Sequence, residues 1–149
     1  MNKNLEIGSY AEFRETFSSI TISDYVHAVA HLTNLHGDFI YQLFRLIWPQ
    51  FMQIGNSIFI QEIYSSERYE EMLSNGDTEL EIQYWLNLFE TTELSDDLTL
   101  KQAHEIAKIL EKTWNLKLKE EGLNSRVVAK IIEYPEFDEV YVGLVPTNR

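Results

Sequence analysis

A chain of 149 residues, 44% hydrophobic and 13% aromatic, is long enough for one domain that buries roughly 70% of its unfolded surface, and too apolar to be disordered. Having no cysteine excludes a disulfide framework, a thiolate metal site and a thiol nucleophile, and fits a reducing compartment, so a cytoplasmic location is expected. A net charge of −12 repels phosphates and anionic headgroups, which disfavours nucleic acid and membranes as partners and favours a basic protein.

The opening MNKNLEIGSYAEF has one lysine and no apolar core, so no secretory signal is expected. Ser9-x-x-Glu12 has the form of a capping box, and Phe13 and Phe17 follow one turn apart, predicting a helix over 10–19. Ser23 or Asp24 can cap a second helix, with Tyr25, Val26, Ala28, Val29, Leu32 and Leu35 as its apolar stripe and Gly37 as its end. Asp38 then caps a third, expected to be largely buried, in which Phe39, Ile40, Leu43, Phe44 and Ile47 recur at helical spacing up to Pro49. The run 39–52 is broken by Gln42, Arg45, Pro49 and Gln50 and is too short to span a bilayer.

From Phe51 the period changes to that of strands. Two β-prone runs, 51–54 and 57–60, flank Gly55-Asn56, and glycine at the first loop position signals a type II′ hairpin. Ser65 or Ser66 starts a glutamate-rich helix that Asn75-Gly76 ends. Thr78-x-x-Glu81 caps the next, predicted over 78–90, whose polar stripe is only Glu79, Gln83, Asn87 and Glu90; so apolar a helix is central to the fold or reserved for a partner. Thr99-x-x-Gln102 caps the longest helix, 100–121, with Ala103, Ile106, Ala107, Leu110 and Trp114 inward and Gly122 at its close. A second hairpin follows, 126–133 and 139–145, turning around Pro135. The expected fold is a single α+β domain, 1–149, in which the hairpins at about 51–62 and 126–145 join into a four-stranded antiparallel sheet with five to six helices mainly on one face.

Chemical motifs are sparse. Asp24, His27 and His31 share a helix face, and H-x-x-x-H is the spacing of zinc peptidases, but HAVAH has Ala28 where those enzymes need the general-base glutamate. A metal-dependent hydrolase on these three residues, with His36 a distant candidate ligand, stands as the alternative reading. His104 with Asp96 and Asp97 lacks a nucleophile beside it, since Ser95 and Thr99 occupy a loop and a helix cap. No phosphate-binding glycine loop exists, and no cofactor is expected. Trp48, Trp85 and Trp114 read as core residues.

The strongest signal is charge. Residues 62–97 hold eleven acids against one base, Arg68, so ten of the twelve net negative charges lie there, among Tyr64, Tyr69, Tyr84 and Trp85. Such a concentration repels itself, whereas aromatics beside carboxylates suit an interface with a basic partner. The candidate partner-binding residues are Glu67, Glu70, Glu71, Asp77, Glu79, Glu81, Glu93, Asp96, Asp97 and Tyr69. In size, acidity and lack of cysteine the chain is similar to bacterial immunity proteins, which implies a non-enzymatic neutraliser of a basic protein such as a nuclease toxin, acting by occlusion. A third reading is a structural or regulatory subunit that self-associates through the apolar helix 78–90.

Overall fold

A computed structural model describes residues 8–147 and divides the chain into two compact units, up to Leu43 and from Phe44 onward. In the first, helix α1 (Tyr10–Thr16) starts at the expected Ser9 box, in which Glu12 accepts the Ser9 amide. Helix α2 (Ile22–Leu32) starts earlier than Ser23: Thr21 caps it, and Asp24 reaches back to the Thr21 amide at 2.9 Å. It also ends before Gly37, because Asn34 takes the left-handed conformation at φ 51°. Tyr10, Phe13, Phe17 and Tyr25 form an aromatic cluster with ring centroids 5.1–5.6 Å apart.

Helix α3 (Gly37–Ile47) contradicts the expected burial. None of its residues is buried, and Phe39, Tyr41, Leu43 and Phe44 are all exposed. Helical spacing establishes which side chains share a stripe, and nothing in spacing says that another element lies over it.

The second unit is α+β, with two antiparallel sheets rather than one. Strands β1 (Phe51–Ile54) and β2 (Ser57–Ile60) pair in the predicted register around Gly55, whose φ is 57° while that of Asn56 is not positive, as a type II′ turn needs. Strands β3 (Phe89–Glu90), β4 (Val127–Tyr134) and β5 (Glu139–Pro146) make the other sheet, in the order β3-β5-β4. The β3 strand was not expected, and it brings the number of strands to five. Helices α4 (Ser66–Asn75), α5 (Glu79–Leu86) and α6 (Leu100–Glu120) start at their predicted caps Ser65, Thr78 and Thr99.

Two hairpins fail to merge because β2 already has something on its free edge. In the paired register Ile58 and Ile60 point their amides away from β1, and side chains of α5 accept them: Gln83 from Ile58 and Asn87 from Ile60, both at 2.8 Å. Asn87 also donates to the Ile58 carbonyl at 2.8 Å. A helix thus supplies the bonds of a missing strand, and Gln83 and Asn87 of its polar stripe are buried. Asn115 of α6 does the same for β4, accepting the Ala129 amide at 2.8 Å and donating to its carbonyl at 2.9 Å.

The hairpin is buried on both faces. Ile58 and Ile60 pack with Ala107, Leu110, Trp114 and Leu118 of α6 and with Val140, Val142 and Leu144 of β5. Phe59, on the other face, packs with Ile82, Leu86, Tyr64 and Tyr69. Helix α6 therefore covers one face of the three-stranded sheet, and the opposite face meets residues that follow α5. Gly143 permits that second approach, since a Cβ there would lie 2.7 Å from the Leu88 side chain. Among the described residues no helix is long and apolar enough to cross a membrane.

Candidate functional site

Side chains on alternate residues of a strand point to opposite faces, so the register of the three-stranded sheet decides which groups meet. Glu90 of β3 stands opposite Tyr141 of β5, and Tyr134 of β4 stands opposite Glu139. All four belong to the face turned away from α6, because Val140 and Val142, between them on β5, enter the core. They form one wall of a cleft of about 610 Å³. Leu88 and Trp85 from the end of α5, Arg68 from α4, Glu93 from the short 3₁₀ turn Thr92–Leu94 and Phe137 from the β4–β5 connection complete it.

Hydrogen bonds hold this wall in place. Tyr141 donates to the Glu139 carboxylate at 3.0 Å, and its ring meets Tyr134 edge-on. Burial, with the Glu90 and Glu139 carboxylates beside it, holds the Tyr141 phenol well above its ordinary pKa, so it remains a donor. Thr92 donates to Glu90 at 2.8 Å, fixing that carboxylate. The Tyr134 hydroxyl lies 3.0 Å from that of Tyr84; burial and then this hydrogen bond raise the Tyr84 phenol to about 12.

Among the described residues none of Glu90, Glu93 and Glu139 makes an ion pair, although Arg68 lines the same cleft. Two aromatic side chains at the cleft reach solvent: Trp85 is 51% exposed and Phe137 68%. Trp85 is thus not the core residue that its helix predicts, and Trp48 is 44% exposed with Lys117 over its ring at 5.5 Å. Only Trp114 is fully buried, its Nε1–H donating to the Leu46 carbonyl at 2.8 Å. A smaller hollow of about 190 Å³ holds Arg126, which already donates to Gln53 and Asn56.

The candidate residues from the sequence fall at several places in the structure. Glu67, Glu70 and Glu71 are exposed on α4; Glu93 lines the cleft; Asp96 and Asp97 are exposed in the turn before α6. Asp77 is half-buried, Glu79 lines the smaller hollow, and Glu81 closes the Thr78 capping box, which lowers its pKa. Tyr69 is turned inward, edge-on to Phe59 at 5.9 Å. Sequence reading misses Glu90, Glu139, Tyr141, Tyr134, Phe137, Leu88 and Arg68 as site residues. The signal was the i, i+2 pair Glu139/Tyr141, which becomes a site only when Glu90 and Tyr134 are in register with it.

The other constellations do not assemble. Asp24 is occupied at the cap of α2 by Thr21, which lowers its pKa, and among the described residues no three acidic or histidine side chains converge as a metal site would require. His104 meets Glu133 at 3.4 Å rather than Asp96 or Asp97. Comparison of the chain with known protein families, with curated proteins and with solved structures finds no match.

Proposed function

We propose that this chain is a non-enzymatic, cytoplasmic binding module for a basic protein, acting as an inhibitor or immunity-type neutraliser that covers the partner's cationic surface. The observation that carries the reading is the cleft in which Glu90, Glu93 and Glu139 lack a counter-ion beside the exposed side chains of Trp85 and Phe137. Carboxylates left without a counter-ion steer a cationic partner, and exposed aromatics supply the anchoring contact area. The acids of α4 and of the 93–97 turn extend the same sign of charge along residues 62–97 and speed the encounter.

The test is association with a basic protein captured from the native host, then purified and measured by stopped flow. The association rate should fall at least about tenfold between low salt and 0.5 M salt as the Debye length contracts. The variant Glu90→Gln/Glu93→Gln/Glu139→Gln should lose most of the affinity, and Glu67→Lys/Glu70→Lys/Glu71→Lys should slow association. A salt-independent rate, with both variants binding as the parent does, would defeat the proposal.

A further inference from the structure

Resting on that reading, we infer that the cleft is an arginine receptor: one guanidinium side chain of the partner enters between Trp85 and Phe137 and bonds to Glu90, Glu139 and Glu93. The shape of the donor set decides for arginine over lysine. Glu90 and Glu139 flank Tyr141 on the sheet wall, and Glu93 of the 3₁₀ turn lines the same cleft, so three carboxylates border it without being close enough together to share a metal ion. A guanidinium has five N–H donors fanned in a plane and can address several carboxylates at once, while an ammonium is a compact, strongly hydrated point charge. Its flat faces also stack on aromatic rings, and the cleft offers Trp85 and Phe137, whose side chains reach solvent.

The sheet wall is preorganised for such a guest. Tyr141 and Thr92 already hold Glu139 and Glu90 through single hydrogen bonds, leaving the remaining carboxylate lone pairs to the ligand. Arg68 stands at the same cleft without an ion pair among the described residues. As a like charge it opposes the incoming cation, and removing it should strengthen binding. That sign separates a cation site from an anion site, in which Arg68 would be the chief ligand.

The experiment uses the full chain and small probes, so no partner is needed. The indole N–H of Trp85, assigned with Trp85→Phe, is followed by ¹H–¹⁵N NMR during titration with the N-acetyl amides of arginine, lysine and citrulline, and with tetramethylammonium. Arginine amide should shift Trp85 and the Glu90 and Tyr141 amides saturably, about three- to fivefold more tightly than lysine amide. Citrulline amide, nearly the same shape without charge, should not saturate. Glu90→Gln/Glu139→Gln should weaken arginine binding about tenfold, and Arg68→Gln should strengthen it about twofold. Trp85→Leu, at a half-exposed position whose ring also meets Tyr84 edge-on at 5.1 Å, should weaken it several-fold, more than any loss of folded protein that its melting temperature reports. Lysine amide or tetramethylammonium binding as tightly as arginine amide, weaker binding in Arg68→Gln, or shifts confined to α4 would each overturn the inference. A salt-dependent basic partner still bound by a chain whose cleft ignores arginine amide would leave the wider reading standing and remove this one.

Discussion

Gly143 shows how much a single missing side chain can decide. It lies in the middle of β5, a position where glycine ordinarily weakens a strand, and its φ is not in the left-handed region, so the reason for it is space. A Cβ would stand 2.7 Å from Leu88 Cδ2 and 3.2 Å from Ile132 Cδ1. Gly143→Ala should therefore push Leu88 toward the cleft and destabilise the fold by about 1 kcal/mol in urea unfolding. Because the shortest approach is to the end of a flexible side chain, adding Gly143→Ala to Leu88→Ala should cost less than Gly143→Ala alone, leaving only the 3.2 Å approach to Ile132. Tyr84 makes a second prediction at this scale. Its phenol ionises near 12 in the folded chain and near 10.0 once released. Below pH 10 both states hold the proton; above it the unfolded chain loses a proton that the native chain keeps, so stability falls as pH rises toward 12. Urea unfolding from pH 8 to 11.5 should show this decline, and a shallower one in Tyr84→Phe.

Helix α5 is the element whose identity the sequence obscures most. Its residues predict a helix to Glu90 with a narrow polar stripe, yet it stops at Leu86, and Phe89 and Glu90 leave it to pair with Val142 and Tyr141. What stops it is Asn87, whose side chain is spent on β2: it accepts from Ile60 and donates to Ile58 and Gln83, all at 2.8 Å. Asn87→Ala would leave the Ile60 amide buried without a partner and should cost about 3 kcal/mol in chemical denaturation, against under about 0.5 kcal/mol for the exposed Lys112→Ala. Helix α6 follows its sequence closely, because cap, stripe and stop agree: Thr99, the row from Ala103 to Leu118, and Gly122 with φ 73°.

Among the described residues, charge of one sign is left largely without counter-ions. Of the eleven acids in residues 62–97, only Glu62 is in an ion pair among the described residues, with Arg45 at 3.0 Å. The lysines of α6 do not neutralise the rest; Lys117, for example, pairs with Glu120 and Glu121 of its own chain segment, and those hydrogen bonds raise its pKa. Within α4, Glu67 and Glu71 repel each other one turn apart. Glu71→Lys should turn that repulsion into an attraction and stabilise the fold by about 0.5 kcal/mol at low salt, an advantage lost at 0.5 M salt, while weakening capture of a basic partner. A variant more stable at low salt that also bound the partner as well would separate this charge from function.

Local signals sufficed wherever structure is made by neighbours in the chain. Capping boxes at Ser9, Thr78 and Thr99, the Gly55 turn, the Gly76 and Gly122 stops and both hairpins were legible because each depends on residues close together in the chain. The concentration of acid in residues 62–97 was legible for the same reason, being a property of sequence order. Only the tertiary structure decided that Gln83 and Asn87 face a strand rather than water, that two hairpins form two sheets, and that Glu139 and Tyr141 meet Glu90 across nearly fifty residues. The physical reason is that burial and register are set by whichever distant segment lies alongside, and a buried amide or an opposed carboxylate has the same local sequence as an exposed one.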